Sequence, residues 1–207
     1  MKKAIILASI LLLAAACQKG GNSGTQASTQ NQNTSNTQNS PNGWNAYQNA
    51  KWGFEIKYPN TFSLVENSSA MPSSYIPVCG QDSKACIALN KDASGNTNLE
   101  AAAVALEEIN AGTEASCKMP RQNETTGGEI TINGTAYASY TIGDAAAGHW
   151  LHQKIYRTMN KGVCVQITLG FTGFNRQNLD NPDTVAEVDQ EIMWKKLEEV
   201  FSTAVFK

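Results

Sequence analysis

The stretch Val163-Cys164-Val165-Gln166-Ile167-Thr168-Leu169-Gly170-Phe171 carries an apolar side chain at every odd position. An extended chain sends successive side chains to opposite faces, so this period of two predicts a strand with one face on a hydrophobic core and Cys164 on the other. Just upstream, Leu151, Ile155 and Met159 alternate with polar residues, and Asn160-Lys161-Gly162 supplies turn chemistry between the two runs. The pair reads as a hairpin.

Working outward, a second hairpin is signalled by Ile130-Thr131-Ile132, then Asn133-Gly134, then Thr135 to Ile142. Asn-Gly readily accepts the positive φ angles of a type I′ turn. Phe54, Ile56 and Tyr58 alternate with Glu55 and Lys57 in a further strand that Pro59 ends. Near the C-terminus the period changes. Val185, Val188, Ile192, Met193, Leu197, Val200 and Phe201 fall on one helical stripe, with Thr184 and Glu187 in capping-box spacing at its start. Thr203 to Phe206 then returns as a short strand. Leu99 to Ile109 supports two readings: Leu99, Ala102, Leu106 and Ile109 fit a helical face with high intrinsic propensity, whereas Ala102, Val104 and Leu106 also fit a strand.

The N-terminus has a different character. Lys2 and Lys3 precede an unbroken apolar run from Ala4 to Ala16, which is shorter than the roughly 20 residues a permanent span requires. It reads as a signal peptide over 1–16. The end of the run, Leu12-Leu13-Ala14-Ala15-Ala16-Cys17, resembles the lipobox cut by the lipoprotein signal peptidase, although Ala14 stands where Leu is most common. That resemblance implies a diacylglyceryl, palmitate-bearing Cys17 as the mature first residue. Several acyl chains make a durable anchor where a single chain holds only marginally. Gln18, in place of the Asp typical of inner-membrane retention, implies an outer-membrane address in a Gram-negative cell. From residue 17 to residue 43 the chain is almost entirely Gln, Asn, Ser, Thr and Gly, a composition that buries too little apolar surface to order itself. We read it as a tether reaching roughly 25 to 30 Å. Residues 44–207 have the length of one globular domain.

Of five cysteines, setting Cys17 aside leaves Cys79, Cys86, Cys117 and Cys164, an even number suited to two disulfides in an exported domain. Three pairings exist and the sequence does not choose among them. The favoured set joins Cys79 to Cys86, closing a short polar loop, and Cys117 to Cys164, stapling distant segments. A four-cysteine zinc site is disfavoured because paired C-x-x-C ligands are missing.

Tyr47, Gly53-Phe54-Glu55-Ile56-Lys57-Tyr58-Pro59, Tyr156-Arg157-Thr158, Gly162-Val163-Cys164-Val165-Gln166-Ile167 and the closing Phe201-Ser202-Thr203-Ala204-Val205-Phe206 succeed one another in an informative order. Together they resemble small secreted bacterial domains of PsbP/Mog1-like architecture over most of 44–207. The resemblance implies an α+β fold, an antiparallel β-sheet packed with helices, and places Leu99 to Ile109 in that sheet as a strand. The run Asp144-Ala145-Ala146-Ala147-Gly148-His149 resembles a loop found in lipoproteins of this sort, which marks Asp144 and His149 as a possible functional loop. Nothing matches the photosystem-binding segments of the plant proteins, so their role does not carry over.

The chemistry-bearing residues favour binding over catalysis. A net charge of −2 without any Lys/Arg stripe argues against nucleic acid, whose phosphates demand concentrated positive charge. The two histidines, His149 and His152, lie three apart and diverge on a strand, so no metal site is expected. No G-x-S-x-G elbow is present, no catalytic residue is assigned and no cofactor is implied. Asp144 with His149 is the one acid-base pairing available in principle. Glu107 and Glu108 are adjacent and diverge on either secondary structure, and Trp44, Trp52, Trp150 and Trp194 read as core or rim packing rather than a ligand groove. The expectation is a cell-envelope lipoprotein held to the membrane by its N-terminal lipid, whose domain is a non-catalytic binding or accessory module for an envelope protein or ligand. The alternatives are an envelope hydrolase or ligand-binding enzyme, or an inhibitor of an extracellular enzyme such as lysozyme.

Overall fold

The computed structural model describes residues 43–66, 73–75 and 77–207. The signal segment, Cys17 and nearly all of the expected tether lie outside the described residues.

Seven strands form one antiparallel sheet: β3 (Phe62–Glu66), β4 (Ala85–Leu89), β5 (Leu99–Ile109), β6 (Thr125–Ile132), β7 (Thr135–Ala146), β8 (His149–Asn160) and β9 (Val163–Phe174), in the spatial order β3-β4-β5-β9-β8-β7-β6. A smaller sheet joins β1 (Trp44–Asn49), β2 (Phe54–Pro59) and the two-residue β10 (Val205–Phe206) in the order β1-β2-β10. Among the described residues the α-helices are the single turn α1 (Glu114–Cys117) and the twelve-residue α2 (Gln190–Phe201). The architecture is therefore the expected α+β arrangement, with a second, smaller sheet added.

One face of the large sheet carries the main core. Ile87 of β4, Val104 and Leu106 of β5, Tyr137 of β7, Tyr156 of β8 and Val165, Ile167, Leu169 and Phe171 of β9 meet Phe54, Ile56 and Tyr58 of β2 and Met193, Leu197 and Val200 of α2. Each such side chain contributes about 1.5–3 kcal/mol on burial. The odd-numbered residues of β9 thus point where their period predicts.

The opposite face is covered mostly by irregular chain, with the single-turn α1 at one end. Cys79 and Cys86 lie at bonding distance, S–S 1.98 Å, holding a segment with Val78 over Ala88, Ala103 and Ala105. Cys117 and Cys164, S–S 2.03 Å, hold α1 and the chain just after it against the end of β9. This explains why Leu99–Ile109 is a strand despite its helical propensity. Ala103 and Ala105 are fully buried beneath the first strap, while Val104 and Leu106 fill the main core. Tertiary packing on two faces outweighs a propensity difference of a few tenths of a kcal/mol per residue.

Two local readings need correction. The Asp144–His149 run is not a loop: β7 continues through Ala146, Ala147-Gly148 form a two-residue turn with φ of 52° and 82°, and His149 opens β8. Gly148 suits this turn because its φ lies in the region that L side chains rarely adopt. The C-terminal helix begins later than its apolar stripe suggests. Asp189 is its N-cap, accepting from the Ile192 amide at 3.0 Å, so Thr184, Val185 and Val188 precede the helix. Pro182–Thr184 turns in 3-10 geometry, and Ile192 is 53 % exposed and off the core face.

Candidate functional site

The long β7–β8 hairpin brings the chemistry of the chain to one end of the sheet. There a groove of about 440 Å³ opens on the strap-covered face, with Asp144 and Ala146 from β7, His149 and Leu151 from β8, Thr172 from β9, Glu100 from β5 and Pro77 from the first strap among its walls. The hairpin tip is held in place: the Asn175 amide donates to the Gly148 carbonyl at 2.7 Å.

Glu100 is the residue that sequence reading missed. It occupies a β-bulge, since Leu99 pairs with Gly173 and Ala101 with Thr172, leaving Glu100 without a register partner. Bulges re-aim a side chain out of strict alternation. Here the result is that Oε2 of Glu100 lies 3.0 Å from Nδ1 of His149. His149 therefore pairs with a carboxylate remote in sequence, not with the nearby Asp144, whose Oδ1 instead accepts from the Ala145 amide at 2.8 Å. The groove unites Asp144 and His149 as lining residues without bonding them to one another. An insertion within a strand leaves no compositional mark, so the only available signal was the polar Glu100 at the head of an apolar run.

His152 points the other way, against the Trp150 and Phe171 rings at centroid distances of 5.5 and 5.6 Å. Among the described residues, no group of three or more His, Cys, Asp or Glu is placed to hold a metal ion. Trp52 is fully buried and Trp194 packs against Phe171 at 4.7 Å, whereas Trp150 contributes to the groove wall.

Beneath the two straps runs a buried polar chain that the sequence did not announce. Arg157 of β8, 1 % exposed, donates from Nε to Gln166 at 2.7 Å, from Nη1 to the Met119 carbonyl at 3.0 Å, and from both Nη1 and Nη2 to Glu124. Its guanidinium stacks 4.8 Å from the Tyr140 ring, and the Tyr140 hydroxyl donates to the Lys118 carbonyl. Gln166 donates to Glu107 at 2.8 Å, and Glu107 accepts from Ser83 at 3.0 Å. Burial pushes the Glu107 carboxyl above its ordinary value, partly offset by the Ser83 hydrogen bond. Its neighbour Glu108 points away and is held below the ordinary value by hydrogen bonding from Lys51. The two carboxylates diverge, as adjacency in a strand requires.

No protein-family model matches this chain, and no curated protein matches it. Solved structures of similar shape include cyanobacterial PsbP from Synechocystis sp. PCC 6803, at 15 % identity and a TM-score of 0.41, covering 80 % of this chain and 93 % of that one. Another comes from Bacteroides thetaiotaomicron, at 12 % identity and a TM-score of 0.41, covering 78 % of this chain and 48 % of that one.

Proposed function

We propose that this chain is an exported lipoprotein, anchored through acylated Cys17, whose folded portion is a binding or accessory module of the cell envelope. The observation that carries the binding role is the groove at the hairpin end. It joins two carboxylates, Glu100 and Asp144, an imidazole and an apolar floor of Leu151 and Pro77 in a cleft of the size that holds a few side chains of a partner. The signal-like start and the lipobox resemblance support the address, and two cysteine pairs at bonding distance suit an oxidising compartment.

A photo-crosslinking residue placed at Ala146, compared with one at Lys195 on α2, tests this in intact envelopes. A discrete adduct from position 146 and none from 195 is expected. The same adducts from both positions, or none from either, would refute the groove as the binding surface. The His149–Glu100 pair favours one alternative, an envelope hydrolase with His149 as general base, because a carboxylate at Nδ1 orients an imidazole for proton transfer through Nε2. That reading requires activity on an envelope substrate that His149→Ala abolishes.

A further inference from the structure

The edge of the large sheet is incomplete beside the groove. Strand β6 pairs with β7 only as far as Thr125 opposite Thr141, while β7 runs on to Ala146. Among the described residues, Ile142 to Ala146 therefore pair with β8 alone, and Gly143, Asp144, Ala145 and Ala146 are exposed. One residue before β6, Glu124 turns its carboxylate onto buried Arg157.

Register fixes which backbone groups face the empty lane. Ala146 and His149 flank a two-residue turn and form a hydrogen-bonded pair, so alternation turns the amide and carbonyl of Gly143 and Ala145 away from β8. Asp144 occupies the Ala145 amide, leaving, among the described residues, the Gly143 amide and the carbonyls of Gly143 and Ala145 as an open template. Such an edge invites strand pairing unless it is blunted. The side chains here are too small to blunt it, and Asp144 is the one charged group on this stretch.

We propose that an extended, basic segment of a partner protein adds to β7 along Ile142–Ala146, in the lane that β6 vacates. This deepens the binding role inferred above and rests on it. Main-chain hydrogen bonds to Gly143 and Ala145 provide the pairing, and alternate side chains on the groove face provide the selectivity. Charge complementarity identifies those side chains as Lys or Arg: Asp144 stands in the adjacent strand, Glu100, beside His149, lies on the far wall, and among the described residues neither Lys nor Arg lines the groove.

The test uses a (Lys-Val)4 peptide, its (Glu-Val)4 counterpart and a (Lys-Val)4 peptide N-methylated at alternate residues, each titrated into the oxidised protein and monitored by amide NMR. The expected result is that (Lys-Val)4 shifts amides of Ile142–Ala146, that N-methylation abolishes the shifts, and that Asp144→Asn weakens binding about twofold to fivefold. The asparagine still accepts from the Ala145 amide, so the hairpin is retained. Equal binding by the N-methylated or the glutamate peptide, shifts confined to other surfaces, or no shifts at about 1 mM peptide would overturn the proposal. A groove-specific photo-adduct from Ala146 in the envelope, found together with any of these failures, leaves the binding role standing and removes strand addition as its mode.

Discussion

Replacing Glu124 by Gln keeps the shape of the side chain and removes its charge, which isolates the worth of the buried ion pair. Arg157 is 1 % exposed and the Glu124 side chain 3 % exposed, so neither charge is shared with solvent. A cation left without its partner in such surroundings costs about 3–5 kcal/mol. The Gln166 bond at 2.7 Å, the Met119 carbonyl at 3.0 Å and the Tyr140 ring at 4.8 Å remain and soften the loss toward about 3 kcal/mol. For a domain of this size each kcal/mol lowers the melting temperature by about 2–4 °C, so the midpoint should fall by about 6–12 °C. Urea and thermal unfolding of oxidised native protein, Glu124→Gln, Arg157→Met and the double variant, monitored by circular dichroism, measure both the loss and the coupling. A loss below about 1 kcal/mol, which is the worth of a surface pair, or an additive double variant, would refute a sealed ion pair.

Three further outcomes are expected from the same geometry. The folded state holds the Glu107 proton more tightly than the unfolded chain does, so this group's contribution to stability declines as pH rises through the ordinary carboxyl range to the raised value; unfolding free energies against pH should move in favour of Glu107→Gln relative to the native protein as pH climbs toward neutrality. Loop closure ranks the disulfides: the separation of 47 residues between Cys117 and Cys164 gives about 4 kcal/mol, and the separation of 7 between Cys79 and Cys86 about 2.5 kcal/mol, so denaturant unfolding should show the Cys117→Ser/Cys164→Ser variant as the weaker. Removing the α2 cap by Asp189→Ala should cost about 1 kcal/mol in the same assay, whereas Ile192→Ser, on the exposed side of the helix, should stay within about 0.5 kcal/mol of the native value.

The strands were legible where a continuous apolar face alternates with polar or small residues. Odd-numbered apolar residues from Val163 to Phe171 and the Asn133-Gly134 turn, with φ of 48° and 80°, translate directly into β9 and the β6–β7 hairpin. Leu99–Ile109 was ambiguous because alanines under a strap satisfy helix and strand patterns equally, and the covering chain around Cys79 and Cys86 decides between them. The start of α2 was misplaced because Val185 and Val188 carry helical spacing while lying in the lead-in to Asp189. Of the candidate site, Asp144 and His149 could be found from their turn. Glu100 and the Arg157–Glu124 pair could not, since a bulge and a contact across 33 residues leave no local signature.

The address and redox state on which the proposed role depends can be read together in one measurement: intact-mass analysis of the protein extracted from membranes after alkylation of free thiols. The account predicts a chain starting at Cys17 with the added mass of a diacylglyceryl group, and no alkylation at Cys79, Cys86, Cys117 or Cys164. An unmodified N-terminus, or four alkylated thiols in freshly lysed cells, would contradict it.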